Sequence, residues 1–143
     1  MLKIALPNKG RLSEEVRELF NDAGLEVRAR GERALTASLG GEFEAIFVRA
    51  QDIPEFVADG AAQAGVTGWD LVNEAGRKLE PLMDLEFGRC RLVVAARDES
   101  GISRVEDVKE GMRVASCFPR LTQAFFQQRG QKVTVVPVSG AAE

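Results

Sequence analysis

Apolar and polar residues alternate at the start of the chain in the pattern of a strand that ends in a loop. Leu2, Ile4 and Leu6 lie two positions apart, which is the spacing of one face of a strand. The sequence Pro-Asn-Lys-Gly at positions 7–10 then supplies turn residues that end the strand. The first stretch therefore predicts a buried strand followed by a basic loop.

The residues after this loop follow the spacing of an amphipathic helix. Apolar side chains recur at positions i, i+3, i+4 and i+7, namely at Val16, Leu19, Phe20 and Ala23. Ser13 can cap the start of the helix, and Gly24 can end it. The pattern predicts a helix with one buried face directly behind the basic loop.

The order of strand, polar loop and helix recurs through the first half of the chain. We predict short strands at 25–27 and 35–39, a turn at Gly40-Gly41, a buried strand at 45–48 and a weaker strand at 64–67. Asp52 can cap a helix that follows the third of these strands, and another helix is predicted up to Ala75. Strands that alternate with helices indicate a mainly parallel sheet with helices on both faces.

A polar connector, DLEFGRCR at 84–91, separates this part from a second set of elements. Beyond it we predict a strand at Leu92–Ala96, a short helix with Ser103 and Glu106 at capping-box spacing, a strand at Met112–Ala115, a helix at Leu121–Arg129 and a strand at Val133–Val138. The predicted fold class is α/β, with two lobes at 1–88 and 89–143, each a mainly parallel sheet flanked by helices.

Only the residues SGAAE at 139–143 follow the last predicted strand. A further helix is expected there, because a strand without a covering helix exposes an apolar face. We therefore expect the native chain to continue and the second lobe to be incomplete at its C-terminal end.

The composition excludes several classes of protein. The 143 residues are 45% apolar and 29% charged, as in an ordinary globular protein, and the net charge of −3 argues against a nucleic-acid coat. The start of the chain has no signal-peptide pattern, and no apolar stretch is long enough to cross a membrane. We expect a cytoplasmic protein in which Cys90 and Cys117 are free thiols.

The sequence contains no histidine. This absence removes the commonest metal ligand and the commonest general base near neutral pH. If the protein is an enzyme, its chemistry is expected to rely on positioning and on fixed charges.

Several charged residues follow strands of the predicted sheet and could converge on one crevice. Lys9, Arg11, Arg49 and Asp70 each come just after a strand, and ligands of open α/β sheets bind at the carboxyl ends of the strands. Glu14 and Glu15 oppose an anion on the helix end, so basic side chains would do most of the binding. Taken singly, the basic residues also fit a solvated surface, and Asp70 also fits a helix cap.

Four stretches, in this order along the chain, resemble the short form of the ATP phosphoribosyltransferases of histidine biosynthesis. They are IALPNKGRL at 4–12, VRAQDIPEFVADGAAQAGVTGWD at 48–70, DLEFGRCRLVVA at 84–95 and VSGAAE at 138–143. The resemblance implies two lobes similar to a type II periplasmic binding protein, with the active site between them. It implies a transferase that joins N1 of ATP to C1 of phosphoribosyl pyrophosphate and releases pyrophosphate.

The resemblance also implies cofactors and partners. Mg²⁺ would be bound to the substrates, and the enzyme would be a homodimer that works with a regulatory subunit resembling a histidyl-tRNA synthetase. A long form of the family carries its own regulatory domain instead. The wording of the motifs favours the short form.

Site residues follow from the resemblance, position by position. Lys9, Gly10 and Arg11 match the basic loop that meets phosphates, and Arg33 matches an arginine near the pyrophosphate. Three further positions match residues that bind substrate: Arg49 and Asp70 for the nucleotide or phosphoribosyl pyrophosphate, and Glu143 for ribose hydroxyls. Ser116 would contribute to substrate binding from the second lobe.

Some positions depart from the family pattern. Ala141 stands where serine is usual, and Ser116-Cys117 replaces a pair such as Thr-Lys. The loop that grips the 5-phosphate in the family follows the equivalent of Glu143 and is not in this sequence. Two other functions remain open: a cytoplasmic domain of the same shape that binds a small ligand without catalysis, and a fragment that only makes subunit contacts.

Overall fold

A computed structural model describes residues 1–31 and 33–139. The chain divides into two compact units, Met1–Arg89 and Cys90–Glu143. No helix in these described ranges has the length and apolar character that a membrane span requires.

The described residues of the N-terminal unit form five strands and three helices. They are β1 (Lys3–Pro7), α1 (Gly10–Asp22), β2 (Val27–Ala29), β3 (Thr36–Leu39), β4 (Phe43–Val48), α2 (Ile53–Ala58), β5 (Ala64–Gly65) and α3 (Trp69–Ala75), with a 3₁₀ turn at Ala50–Asp52 before α2. The strands form one sheet in the order β2-β3-β4-β1-β5. β1 lies between β4 and β5, and its apolar sequence fits a strand that is covered on both faces.

The sheet is mixed, not mainly parallel as predicted. β1 runs parallel to β4 and β5, whereas β2, β3 and β4 pair antiparallel. The change of direction arises at Gly40 and Gly41, which have φ angles of +59° and +77° and turn β3 directly back into β4. The α/β class is confirmed, but a tight glycine turn replaces the crossover helix that a parallel pair would need.

The core lies on both faces of the sheet. On one face α1 packs over a cluster made by Leu6, Val16, Ala37, Leu39, Ala45 and Phe47. On the other face α2 packs over the sheet through Ile53, against Ala5 and Ala62. Neighbouring residues of β1 therefore point to opposite faces, and Ala5 and Leu6 are 0% and 1% exposed.

Helix α1 begins earlier than the sequence pattern predicts. Ser13 is not its cap but a buried residue of its first turns. The helix starts at Gly10, whose φ of +84° turns the chain out of β1, and the preceding Lys9 is extended. Glycine adopts this conformation without steric cost, so the turn from strand to helix needs no capping hydroxyl.

The C-terminal unit contains β6 (Arg113–Ser116), α4 (Pro119–Gln128) and β7 (Thr134–Pro137). The two strands pair in parallel, with Arg113 opposite Thr134. Phe126 of α4 is 0% exposed and is the largest buried side chain of this unit. These three elements form a strand-helix-strand unit with the predicted order.

The prediction of a strand at Leu92–Ala96 is wrong. These residues form no helix or strand, and Leu92, Val93 and Val94 are 57%, 64% and 47% exposed. An apolar run becomes a strand only when a neighbour pairs with its backbone N–H and C=O groups. No such neighbour pairs with it among residues 1–31 and 33–139.

The predicted helix after Ser103 is reduced to a 3₁₀ turn at Val105–Asp107, and another 3₁₀ turn at Asp98–Ser100 precedes it. The capping acid is Asp107 and not Glu106. Its Oδ2 accepts hydrogen bonds from the backbone N–H groups of Ser103 and Arg104, each at 3.0 Å. These bonds hold the pKa of the Asp107 carboxyl below its usual value, because they favour the charged form. Glu106 instead pairs with Arg129 at 2.9 Å.

Asp107→Asn is expected to lower the unfolding temperature at pH 7 by about 2–4 °C, because a neutral amide is a weaker acceptor at this cap. The folded pKa of Asp107 lies below the unfolded value, so the carboxylate stabilises the fold above the ordinary carboxyl range and loses this effect in acid. Calorimetry of the wild type and of Asp107→Asn from pH 7 to pH 3 measures the difference between their unfolding temperatures. A difference that does not shrink in acid would contradict this role of the Asp107 carboxylate.

Candidate active site

Three loops of the N-terminal unit lie at one edge of the sheet. The first loop follows β1, the second follows β4 and the third follows β5. These strands run parallel, so their carboxyl ends coincide. Pro7 at the end of β1 is opposite Val48 at the end of β4, and the backbone N–H of Asn8 donates to the carbonyl of Val48 at 3.0 Å. The backbone N–H of Val66, just after β5, donates to the carbonyl of Ala5 at 3.0 Å.

A side-chain hydrogen bond ties the third loop to the second. The hydroxyl of Thr67 donates to the carbonyl of Ala50 at 2.8 Å, and the contact is partly buried. Thr67 is not among the predicted site residues. The sequence gives little sign of this hydrogen bond beyond a threonine next to Gly68, because the acceptor is a backbone atom 17 residues away.

The loop that carries Arg33 lies at the same edge. β3 runs antiparallel to β4, with Thr36 opposite Ile46, so the start of β3 lies near the end of β4. The backbone N–H of Phe47 donates to the carbonyl of Leu35 at 2.9 Å, which fixes this arrangement. Arg33 is exposed. The hairpin of β3 and β4 thereby brings a fourth loop to the edge where β4, β1 and β5 end.

The first loop presents Lys9, Gly10 and Arg11 to solvent. All three are exposed, and the Arg11 side chain is 91% exposed. Its Nε lies 3.4 Å from Oε1 of Glu15, one helical turn further on. The sequence predicts Glu15 only as an obstacle to anion binding, although its i+4 spacing from Arg11 also indicates this contact.

In the second loop Arg49 pairs with Asp52. The Nε of Arg49 donates to Oδ2 of Asp52 at 2.8 Å, and both side chains are partly exposed. The prediction that Asp52 caps the following helix is wrong, since it makes no side-chain cap hydrogen bond with α2. The 3₁₀ turn at Ala50–Asp52 brings the carboxylate back toward the guanidinium instead. The aspartate therefore holds the arginine at the edge of the sheet.

In the third loop Asp70 lies in the first turn of α3. Its Oδ1 accepts a hydrogen bond from the backbone N–H of Leu71 at 2.8 Å, and the residue is half-buried. Trp69 beside it is 56% exposed. A β-carbon added to Gly68 would lie 2.3 Å from Oδ1 of Asp70. Glycine at position 68 therefore makes room for this carboxylate.

Ser116 belongs to the C-terminal unit, at the end of β6, and is 9% exposed. Its Oγ accepts hydrogen bonds from the backbone N–H of Phe118 at 2.9 Å and from the hydroxyl of Thr122 at 2.8 Å. The hydroxyl is engaged in shaping the start of α4, which the sequence did not indicate. Glu143, and Ala141 beside it, lie outside the described residues.

The exposed basic side chains of this arrangement suit an anion. Predicted site residues 9–11, 33, 49 and 70 all lie in the loops at one edge of the sheet or in the first turn of the helix that follows. In the described ranges no three His, Cys, Asp or Glu side chains group as metal ligands. Guanidinium and ammonium groups bind phosphates through charge-assisted hydrogen bonds.

Comparisons with known proteins agree with this chemistry. The HisG family model, described as ATP phosphoribosyltransferase, matches residues 49–143. An ATP phosphoribosyltransferase of Gemmatimonas aurantiaca is 73% identical over 146 residues, and one of Methanocaldococcus jannaschii is 46% identical over 145. Each match takes in 100% of this chain and 50% of the relative, so the chain spans about half the length of these curated relatives.

The fold is also similar to a solved structure. The ATP phosphoribosyl transferase (HisG:HisZ) complex from Thermotoga maritima matches with a TM-score of 0.75 and 26% identity. The match covers 99% of this chain and 66% of that chain. Because the family model matches more than half of the 143 residues, the chain belongs to the ATP phosphoribosyltransferase family.

Proposed function

We propose that this chain provides catalytic machinery of an enzyme that joins N1 of ATP to C1 of phosphoribosyl pyrophosphate and releases pyrophosphate. This reaction is the first step of histidine biosynthesis. The observation that carries the proposal is the gathering of exposed basic side chains at the carboxyl edge of β4, β1 and β5. Membership of the ATP phosphoribosyltransferase family supports it.

The absence of histidine fits this chemistry. N1 of neutral adenine already carries a lone pair, so no base has to remove a proton from it before it attacks C1. The barrier lies in the positive charge that develops on the ribosyl ring and the negative charge that develops on the departing pyrophosphate. Fixed cations at the leaving group lower such a barrier without any proton transfer.

Lys9, Gly10 and Arg11 form the first part of the proposed catalytic loop. The two cationic side chains are exposed and bind the pyrophosphate, while the absence of a side chain at Gly10 leaves its backbone open. Arg33 binds the same leaving group from the hairpin. An arginine offers a planar fork of donors that matches two phosphate oxygens at once.

Arg49 and Asp70 hold the nucleotide or phosphoribosyl pyrophosphate in the second and third loops. Arg49 retains further donors besides the Nε that pairs with Asp52. Ser116 and Glu143 contribute substrate contacts from the second lobe, by the likeness to the family. The hydroxyl of Ser116 also shapes the loop before α4, because it accepts hydrogen bonds from Phe118 and Thr122.

The remaining properties follow from the family likeness. Mg²⁺ arrives with the phosphates of the substrates, and the lobes at 1–88 and 89–143 form a scaffold similar to a type II periplasmic binding protein. The protein acts in the cytoplasm as a homodimer with a regulatory subunit resembling a histidyl-tRNA synthetase. The HisG:HisZ complex that the chain resembles supports such a partner.

The test is a pyrophosphate-release assay on the full-length protein with ATP, phosphoribosyl pyrophosphate and Mg²⁺. Pyrophosphate should appear only when both substrates are present, together with an equal amount of ATP that carries a 5-phosphoribosyl group at N1. If no product forms at saturating substrate, the proposal is wrong. Tight calorimetric binding of an amino acid or sugar, without binding of ATP, would favour a ligand-binding domain instead.

Gly68→Ala is expected to raise the KM for ATP or for phosphoribosyl pyrophosphate about three- to tenfold, because the new β-carbon displaces the carboxylate of Asp70. Gly68 has ordinary extended backbone angles (φ −74°, ψ 140°), so alanine introduces no backbone strain. Steady-state kinetics measure the effect. The same substitution in an Asp70→Ala background serves as the control, and an unchanged effect there would show that Gly68 does not act through Asp70.

A further inference from the structure

The carboxylate of Glu15 is held in two different environments. Oε1 lies 3.4 Å from Nε of Arg11, whereas Oε2 is buried and has no hydrogen-bond partner within the described residues. A β-carbon added to Gly88 would lie 3.7 Å from Oε2 and 3.5 Å from Cδ1 of Leu12. The chain at Gly88 therefore closes over this carboxylate, and the Glu15 side chain is only 27% exposed.

This ion pair is a poor device for stabilising α1. An arginine that precedes a glutamate by four residues is the weaker order for such pairs, and a cation in the first turn opposes the helix dipole. A buried carboxylate oxygen without a donor is also unfavourable. Since the local energetics do not explain the pair, its effect on Arg11 becomes the relevant property.

Arg11 is held along one side of its guanidinium only. Within the described part of the chain, Glu15 is its one polar side-chain contact, and the other nitrogens are free in a side chain that is 91% exposed. An arginine restrained in this way loses less conformational entropy when it binds a ligand. Its free donors suit an oxygen-rich anion at the carboxyl edge of the sheet.

We propose that Glu15 is a positioning residue that holds the guanidinium of Arg11 for the pyrophosphate group of phosphoribosyl pyrophosphate. The inference rests on the proposed transferase function. Glu15 itself does not touch the substrate, because its carboxylate would repel a phosphate. It fixes the direction of Arg11 through Oε1, while its Oε2 is buried where the chain passes at Gly88.

A double-mutant cycle in the full-length protein tests this role. Glu15→Gln keeps the shape of the side chain and weakens its hold on Arg11, so kcat/KM for phosphoribosyl pyrophosphate should fall about tenfold. In an Arg11→Ala background the same change should alter kcat/KM by less than about twofold, because the residue being positioned is absent. Glu14→Gln is the matched control, since Glu14 is exposed beside it, and should leave activity unchanged.

The outcomes separate the inference from the function on which it rests. An equal loss in both backgrounds would show that Glu15 acts independently of Arg11 and would overturn the inference. An inactive wild-type protein would instead overturn the proposed function. Circular dichroism checks that the variants fold. If Glu15→Gln does not fold, Glu15→Asp, which keeps the charge but shortens the reach to Arg11, goes through the same cycle with the same expected non-additivity.

Discussion

Arg11→Ala is expected to lower kcat/KM for phosphoribosyl pyrophosphate about 100-fold or more, which is the usual effect of removing one fixed charge that stabilises a transition state. The unfolding temperature should change by less than about 2 °C, because a substitution at an exposed surface position has little effect on stability. The Arg11 side chain is 91% exposed and lies outside the core. Pyrophosphate-release kinetics and calorimetry on the same preparations measure both quantities.

Arg97→Ala provides the matched control for Arg11. The Arg97 side chain is 84% exposed and also pairs with a single glutamate, at 3.5 Å, but it belongs to the C-terminal unit and to none of the loops at the sheet edge. The activity of the Arg97→Ala variant should stay within about twofold of that of the wild type. Equal losses in the two variants, or a loss of activity at Arg11 that merely follows a loss of stability, would contradict a catalytic role for Arg11.

Leu6→Ala is expected to lower the free energy of unfolding by about 2–5 kcal/mol, the range for a leucine removed from a packed core. Leu6 is 1% exposed and packs with Val16 and Phe47 between the sheet and α1. It also belongs to β1, so its loss loosens the strand from which the catalytic loop extends. Denaturant unfolding followed by circular dichroism measures the change.

Leu35→Ala is the control for this core substitution. Leu35 has the same chemistry but is 75% exposed, so its replacement should change the free energy of unfolding by less than about 0.5 kcal/mol. If the two alanine variants were equally stable, β1 would not be the buried interior strand that the structure describes.

The sequence was sufficient to predict the elements that position the site. β1 is visible in the alternation of apolar residues, α1 in their helical spacing and β4 in a continuous apolar run, because each element has buried residues. The position of Lys9, Arg11, Arg49 and Asp70 after strands followed from these elements. Their location at one edge then follows from the parallel pairing of β1 with its two neighbours.

The errors lie where the outcome depends on a distant part of the chain. Leu92–Ala96 has the composition of a strand but lacks a partner among the described residues. Ser13 and Asp52 have the residue types of helix caps, yet one is buried in α1 and the other binds Arg49. Local pattern cannot decide between such uses of one side chain, because the choice depends on what the folded chain places nearby.

The interactions around the site were the hardest to anticipate. The buried Oε2 of Glu15, the contact of Gly68 with Asp70 and the bond from Thr67 to a distant carbonyl depend on three-dimensional proximity. Each acts on a residue that the sequence did single out or on the loop that carries it. The residue types of the site could thus be predicted, whereas the contacts that orient them could not.

The central claim is that the carboxyl edge of β4, β1 and β5 binds the pyrophosphate group. An amide-resolved NMR titration of the chain with magnesium pyrophosphate tests it most directly. Saturable shifts concentrated at residues 8–11, 33, 49–52 and 66–70 are the predicted result, and they should weaken in Arg11→Ala. Saturable shifts confined to the C-terminal unit, or to strands away from this edge, would contradict the claim.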